Sequence, residues 1–324
     1  MLNPINRVEK AWARKISYSG RSSLREEHRI GPAMKVREMS GTLEDHNARV
    51  AQSRRLIFRH SLVTRVTHWT NLLCVTILLM SGLQIFNAHP ALYWGHAGAD
   101  PAQAWLEIGA WKTDSDAAGV TRIGNRRFDT TGVLGLSRSI NGSESERAFP
   151  RWATLPSWRD LSLGRRWHFF FAWLFVANLL VYLIAAIASG HLRRDLLPSP
   201  GELRPRALLR DIADHLRLKF PRGEAARRYN PLQKLSYLAV ALVLLPVMVL
   251  TGLSMSPGMD AIAPWLIDIF GGRQSARTIH FLAASLIVLF VLIHVAMVIV
   301  AGPKNELRSM ITGKFDISPG GDHG

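Results

Sequence analysis

The chain has 324 residues, of which 48% are apolar, and its mean hydropathy is +0.08. Its formal net charge is +16, but the basic residues flank four apolar segments that contain no Asp or Glu, so we expect no nucleic acid partner. The single cysteine, Cys74, excludes an intramolecular disulfide, a C-x-x-C-H attachment site and a thiolate metal cluster. It lies in the first apolar segment, where we interpret it as a packing residue.

The N-terminal residues 1–61 form a basic tail. They contain 13 Lys and Arg against 6 acidic residues, and no apolar run long enough for a signal peptide core. Basic residues beside membrane spans favour the cytoplasmic side. The sequence therefore predicts a flexible cytoplasmic tail.

The apolar segments predict transmembrane helices. Each is 23 to 25 residues long, which suffices to cross a bilayer. Helices of soluble proteins carry a polar face, and stretches such as LAVALVLLPVMVL have none. The predicted fold is an all-α, integral membrane four-helix bundle with spans at residues 62–86, 168–190, 232–255 and 278–301.

Charge in the connecting segments predicts the topology. Residues 191–231 hold 10 basic against 5 acidic residues, whereas residues 87–167 hold 10 against 8. We therefore expect both termini, including the tail 302–324, in the cytoplasm and the loop 87–167 in the periplasm of a bacterial inner membrane.

Two connecting segments have further character. The loop 87–167 is rich in Trp, Phe and Gly, which predicts an aromatic-anchored irregular structure that either docks a partner or covers the protein's own rim. In the segment 191–231, Leu208, Leu209, Ile212 and Leu216 repeat at helical spacing, which predicts an amphipathic helix at the membrane surface.

Four histidines lie inside the predicted spans, where ionisable residues usually have a function. His280 and His294 are 14 residues apart in the fourth span, so they lie about 21 Å apart along the axis and within about 40° of one face. By depth, His280 matches His168 at the outer end. His294 matches His68 at the inner end, which predicts one pair of histidines near each membrane surface.

Several uses of such pairs are open. Two facing imidazoles fill both axial positions of a haem iron and leave a centre for single-electron transfer. Zinc requires three or four ligands, and proton relays normally include Asp or Glu, which these spans lack. Interhelical hydrogen bonds, in a small transporter or an assembly anchor without cofactor, are the alternative.

Arginines accompany these histidines along the chain. Arg65 and Arg277 each lie three residues before a histidine, and Arg165 and Arg166 lie just before His168. Because Arg pairs well with carboxylates, these residues are candidates for binding haem propionates. Anchoring to lipid phosphates is the alternative.

The pieces RVTHWTNLL, RRWHFFFAWLFV, YNPLQKLSYLA and IHFLAASLIVLFVLIH resemble the di-haem cytochrome b subunits of formate dehydrogenases, nickel-iron hydrogenases and thiosulfate reductases. The outer loop and the RRWHFFFAW stretch are most similar to the thiosulfate-reductase-like branch of this family. The resemblance implies that His68, His168, His280 and His294 ligate the irons of two haems b. It also implies a periplasmic redox partner that carries the substrate chemistry, of the sulfite-oxidase-like molybdoenzyme type, with a hydrogenase as the alternative.

The resemblance further implies a quinone near the inner haem, at Tyr229, Asn230, Gln233 and Lys234. The amides can hydrogen-bond a quinone carbonyl, and the Lys cation can stabilise a reduced quinone. A structural alternative is that Asn230 caps the third helix, with Pro231 in its first turn. Electron transfer between the quinone pool and the partner is the expected function.

Overall fold

The computed structural model describes residues 56–98, 100, 103–112, 117–138, 142–190, 192–217 and 230–317. The predicted tail up to residue 55, Tyr229 and residues 318–324 lie outside this range. In chain order the α-helices of the described residues are α1 (Leu62–Phe86), α2 (Leu161–Ala188), α3 (Pro205–Leu216), α4 (Pro231–Ser254), α5 (Pro257–Ile262), α6 (Trp265–Ile269), α7 (Arg273–Ala301) and α8 (Pro303–Thr312).

Four of these helices, α1, α2, α4 and α7, are long and apolar enough to cross a membrane, which confirms the predicted spans. Helices α2 and α7 begin earlier than predicted, because their polar first turns fall outside the apolar runs. Asp160 begins α2 as its N-cap, where its carboxylate accepts a hydrogen bond of 2.8 Å from the backbone N–H of Leu163.

The middle of the bundle is an apolar core. Helix α1 packs along α2, and α4 packs against α7. The buried core side chains come from all four spans and are Cys74, Phe171, Phe175, Leu179, Leu245 and Ile287. Cys74 is fully buried among them, as expected of a packing residue.

Helix α4 changes its hydrogen-bonding pattern halfway along. It is α-helical over Pro231–Ala239, π-helical over Val240–Leu244 and α-helical again over Leu245–Ser254. Pro246 lies two residues after the end of the π-helical stretch, and proline has no N–H to continue the regular ladder. The irregularity is therefore located where the sequence removes a backbone donor.

The all-α prediction is wrong for the loop 87–167, which contains a small β-domain. We call residues 87–160 the loop domain. Strands β2 to β5 form an antiparallel sheet in sequential order, and β6 and β7 form a separate hairpin. With β1 before the first span and β8 after the last, the strands are β1 (Leu56–Phe58), β2 (Ala91–Leu92), β3 (Leu106–Lys112), β4 (Ala117–Ile123), β5 (Arg126–Asp129), β6 (Gly135–Arg138), β7 (Glu144–Arg147) and β8 (Lys314–Asp316).

Local sequence signals explain these strands. Leu106 and Ile108 are buried and alternate with more exposed residues, as in a strand with one covered face. Ile123 pairs with Arg126, so Gly124 and Asn125 form a two-residue hairpin turn. These strand signals were missed because the aromatic content of the loop favoured irregular structure.

Buried polar contacts attach the loop domain to α1 and α7. Gln84, near the end of α1, donates through its side-chain amide to the Trp158 carbonyl at 2.9 Å. Trp105 donates to the hydroxyl of Thr278 at 3.3 Å, and that hydroxyl donates to the Tyr93 carbonyl at 2.7 Å. The loop domain is thus held against the ends of two spans.

The opposite end of the bundle is covered by the residues just before α1 and just after α7. Strand β1 pairs with β8 in antiparallel register, with Ile57 opposite Phe315. The guanidinium of Arg59 stacks over the Phe315 ring at 4.4 Å and pairs with Glu306 of α8 at 3.5 Å. We call this the inner end and the loop-domain end the outer end, following the predicted topology.

Candidate functional site

The structure brings the four histidines together as two pairs. The ring centroids of His168 and His280 lie 6.3 Å apart at the outer end, with an interplanar angle of 61°. Those of His68 and His294 lie 6.2 Å apart at the inner end, at 62°. The pairs therefore have nearly the same geometry, and the core described above separates them.

Hydroxyl groups fix the orientation of both outer rings. The Ser81 hydroxyl lies 3.1 Å from His168 Nδ1, and the Thr251 hydroxyl lies 3.0 Å from His280 Nδ1. Each hydroxyl donates its own proton to a backbone carbonyl one turn earlier, Ser81 to Ile77 at 2.6 Å and Thr251 to Val247 at 2.7 Å. The hydroxyl oxygens therefore accept from Nδ1–H, which leaves the lone pair of each Nε2 available to a metal.

A glycine follows each of these hydroxyl residues and gives the ring its space. A Cβ atom built on Gly82 would lie 3.4 Å from Cε1 of His168, and one on Gly252 would lie 3.3 Å from Cε1 of His280. Helices α1 and α4 thus present the same Ser/Thr-Gly element to the two rings. The sequence shows this element as S-G-L in α1 and as T-G-L in α4.

The donor set fits axial ligation of haem iron. Iron–nitrogen bonds are roughly 2 Å, similar to zinc–nitrogen bonds, and an imidazole centroid lies about 1 Å behind its nitrogen, so the centroids of two axial imidazoles are about 6 Å apart. Both pairs have this separation. Among the described residues no three His, Cys, Asp or Glu side chains group as a metal site, whereas a porphyrin requires only two protein ligands.

Comparisons with known proteins agree with this fit. Residues 59–313 match the family model described as prokaryotic cytochrome b561. The chain belongs to that family. Its spans and its family make it a multi-pass haem b protein of the bacterial inner membrane that functions in electron transfer with a redox partner, rather than a transporter without cofactor.

Two relatives carry informative names. A putative protein-methionine-sulfoxide reductase subunit YedZ1 of Azospira oryzae is 29% identical over 262 residues, covering 81% of this chain and 99% of the relative. A probable Ni/Fe-hydrogenase B-type cytochrome subunit of Cupriavidus necator is 26% identical over 159 residues, covering 45% of this chain and 64% of the relative. The first name describes a subunit of a reductase, and the second describes a cytochrome subunit of a hydrogenase.

The arginines predicted to bind propionates have other contacts in the structure. Arg277 donates to the backbone carbonyls of Ala91, at 2.9 Å, and His89, which ties α7 to the loop domain. Arg65 donates to the carbonyl of Ile311 near the end of α8. Its Nε is buried without a hydrogen-bond acceptor among the described residues. Arg166 is exposed at the start of α2.

The predicted quinone-binding residues lie together at the inner start of α4. The side-chain oxygen of Gln233 accepts from the Asn230 backbone N–H at 3.2 Å, so the predicted capping role is present. Lys234 is largely buried and pairs with both carboxylate oxygens of Glu202, at 2.9 and 3.1 Å. Asp211 of α3 accepts from the Leu232 backbone N–H at 2.9 Å. Two acidic residues that precede α4 in the chain, Glu202 and Asp211, therefore both bind its first turn.

Glu202 is held in its ionised form. The backbone N–H of Ser199 donates to its carboxylate at 2.6 Å, and this bond, followed by the bond from Lys234, holds the pKa of Glu202 below its usual value. Lys234 was predicted from the sequence, but Glu202, its ion-pair partner, and Asp211, which binds the Leu232 N–H, were missed. Their spacing in the chain gives no sign that they meet α4.

Proposed function

We propose that this cytochrome binds two haems b and transfers electrons between the quinone pool and a periplasmic partner oxidoreductase. The observation that carries the proposal is the presence of two histidine pairs with the same iron-compatible spacing at opposite ends of one bundle. When bound, haem would supply single-electron transfer. His168 with His280, and His68 with His294, would hold the two groups.

The contribution of the protein at the outer pair is to hold the ligands. Ser81 and Thr251 select the imidazole tautomer with a free Nε2, and the adjacent glycines admit the rings. The apolar core between the pairs contains Phe171, Phe175 and Ile287. These features suit a fixed electron-transfer path rather than substrate chemistry in this chain.

We place the quinone site at the inner start of α4. Gln233 uses its amide oxygen for the helix cap, which leaves its amide nitrogen as a donor to a quinone carbonyl. Asn230 lies one turn away at the same helix end, and Lys234 supplies positive charge, shared with Glu202, for a reduced quinone. The inner histidine pair, which includes His294, lies at the same end of the bundle, so the quinone would exchange electrons with the haem held there.

Stopped-flow oxidation of a quinol analogue tests this site. Asn230→Ala with Gln233→Ala should slow haem reduction at least tenfold, because the groups that hold the ring are gone. Gln233→Glu keeps the capping oxygen and removes the amide donor, so it separates quinone contact from helix stability. Ser236→Ala is the control, because that hydroxyl only donates to the Leu232 carbonyl at 2.8 Å. Unchanged quinol kinetics in the double variant, with normal haem spectra, would move the site elsewhere.

We propose the outer edge of the loop domain as the partner's docking surface. Strand β5 lies at the edge of the four-stranded sheet, and all four of its residues are exposed. It combines the basic Arg126 with Phe128, which is 46% exposed, and aromatic and Arg side chains are favoured in interfaces. Trp94, stacked on Trp105, is a second exposed aromatic residue of the domain.

The names of the relatives narrow the kind of partner. One relative is named as a subunit of a protein-methionine-sulfoxide reductase and the other as a hydrogenase cytochrome subunit. The first covers far more of this chain, so we propose a periplasmic redox subunit of the sulfite-oxidase-like molybdoenzyme type rather than a hydrogenase. The partner would carry the substrate chemistry, and this chain would supply or remove its electrons.

Coupled turnover in membranes tests the docking surface. Arg126→Glu with Phe128→Ala should reduce partner turnover driven by quinol at least tenfold while both haem spectra stay unchanged. Trp152→Ala is the control, because Trp152 is exposed elsewhere in the loop domain, next to α1. A cysteine placed at Asn125 should react with a membrane-impermeant reagent in whole spheroplasts. Full coupling in the double variant, or labelling only after lysis, would refute the docking surface or the topology.

A further inference from the structure

Arg147, the last residue of β7, is a buried cation that has no acidic partner among the described residues. It is only 5% exposed. Its hydrogen bonds go to neutral acceptors: the Ser157 carbonyl at 2.7 Å, the Thr154 hydroxyl at 3.2 Å and the side-chain oxygen of Gln84. Its Nε–H is buried and has no acceptor among the described residues. An uncompensated charge in such a place is costly, so a counter-charge is expected.

The surroundings of Arg147 increase this cost. Burial lowers the pKa of Arg147, and the neighbouring cations Arg159 and Arg151 lower it further. The nearby acids are used elsewhere: Glu146 pairs with Lys112, Glu144 pairs with Arg138, and Asp160 caps α2. The N-terminus of α2, which begins at Leu161, adds partial positive charge.

A chain of contacts connects Arg147 to the outer histidine pair. Gln84, its partner on α1, lies one helical turn beyond Ser81, the residue that binds Nδ1 of His168. On α2, Gly164 lies one turn before His168, and a Cβ built on it would come within 2.9 Å of Gln84 Cγ. Arg147 therefore lies about one turn, or about 5 Å, farther out than the His168 ring.

We propose that Arg147 binds a propionate of the haem held by His168 and His280 and raises the reduction potential of that haem. This inference rests on the proposed function, since it requires haem at the outer pair. The carboxylate would satisfy Nε–H with a charge-assisted hydrogen bond, and it would approach from the bundle side. A carboxylate of a partner protein would have to reach a side chain that is closed to solvent.

The sign of the effect follows from charge. Reduction adds an electron to the haem, and a nearby cation stabilises that state. Replacing Arg147 by a neutral residue should therefore lower the midpoint potential of the outer haem and leave the inner one unchanged. Arg147→Lys keeps the charge and should restore most of the potential.

Redox titration of the haem absorbance in the full-length protein tests this inference, with four forms compared: wild type, Arg147→Gln, Arg147→Lys and Thr154→Val. Thr154→Val is the matched control, because it removes one hydrogen bond of Arg147 and keeps the cation. We expect a lower outer midpoint in Arg147→Gln alone. Unchanged midpoints in a fully loaded Arg147→Gln protein, or equal shifts in Arg147→Gln and Thr154→Val, would overturn the proposal.

A second measurement applies if Arg147→Gln does not fold. Infrared difference spectra of protein loaded with haem labelled with ¹³C in its propionates should show a carboxylate band that moves between wild type and Arg147→Lys. A band that stays in place would contradict the contact. Single substitutions of His280 and His294 test haem binding separately, so a failure of the proposed function is distinguishable from a failure of the Arg147 inference.

Discussion

The outer and inner histidine pairs have the same spacing but different supports. Each outer imidazole has a hydroxyl on Nδ1 and a glycine beside its ring. Among the described residues, neither imidazole of the inner pair makes a hydrogen bond. Instead His294 stacks on Phe290, with centroids 6.1 Å apart, and His68 meets Trp69 edge to face at 5.6 Å. The two pairs therefore reach the same ring spacing although different contacts orient their imidazoles.

The two ends are also covered differently. The loop domain is attached over the outer pair by hydrogen bonds to α1 and α7. At the inner end, Trp69 donates to the Met310 carbonyl at 3.1 Å, and Arg65 donates to that of Ile311. The short helix α8 thus lies beside the inner pair, and the proposed quinone site is at the same end. We infer that the outer pair is the more rigidly held centre.

The largest expected effect is the loss of one haem, and only one, when a single histidine of either pair is replaced. His280→Ala should remove the outer haem and retain most of the inner one, and His294→Ala should do the reverse, because each iron loses an axial ligand. The pyridine haemochrome assay gives the haem count, which should fall from two per chain to about one. His89→Ala is the control, since His89 stacks on Tyr93 in the loop domain. A variant of either pair that keeps both haems with unchanged spectra would refute the pairing.

A smaller effect should distinguish the supports. Ser81→Ala and Thr251→Val remove the acceptors of Nδ1–H, and loss of such outer contacts typically weakens metal binding roughly 10- to 100-fold. Transfer of haem to excess apomyoglobin, followed by absorbance, measures the loss, which should affect the outer haem alone. Thr76→Val is the control, because the exposed Thr76 hydroxyl donates only to the Leu72 carbonyl of its own helix. Equal haem loss from both pairs would contradict the proposal that the hydroxyl contacts hold only the outer imidazoles.

Glycine substitutions should give a still smaller, graded effect. An added Cβ at 3.3 Å from His280 in Gly252→Ala, or at 3.4 Å from His168 in Gly82→Ala, requires the ring to shift by a few tenths of an ångström. Electron paramagnetic resonance of the oxidised protein should show altered g values for the outer low-spin haem and unaltered values for the inner one. We expect the larger change for Gly252→Ala. Identical spectra in both variants would show that the rings are not confined by these glycines.

The smallest effect concerns the inner start of α4. Because the pKa of Glu202 is lowered in the folded protein, its ionised form stabilises the fold above the ordinary carboxylate range, and this contribution is lost as pH falls through the lowered pKa. Glu202→Gln should lower the Tm at pH 7 by about 2 °C or less, and have no effect at strongly acidic pH. Lys234→Gln should give a similar loss without adding to it. Additive losses would show that the pair does not interact.

Local patterns in the sequence were sufficient for several features. Apolar runs without acids determined the four spans, because a membrane selects for length and composition rather than for particular contacts. The 14-residue spacing on α7 placed His280 and His294 on one face, since helical periodicity is fixed by the backbone. Matching depths then predicted both histidine pairs that the structure brings together.

A local signal was also present for part of the loop domain. The Gly124-Asn125 turn between alternating residues is typical of a hairpin, whereas the aromatic content of the loop favoured irregular structure. The distant pairing of β1 with β8 has no comparable signal, because its strands are only three residues long and about 260 residues apart. Strand pairing across such a separation depends on how the bundle closes.

The sequence by itself therefore determined the spans, the histidine pairs and the resemblance to a cytochrome b family, all of which depend on local composition and on positions along the chain. Only the tertiary structure decided which groups surround those histidines. Ser81 and Thr251 reach the imidazoles across helix interfaces, and Arg277 is committed to loop carbonyls instead of remaining free. Arg147 became a candidate because folding buries a loop cation above α2, and burial is a property of packing that no spacing in the chain encodes.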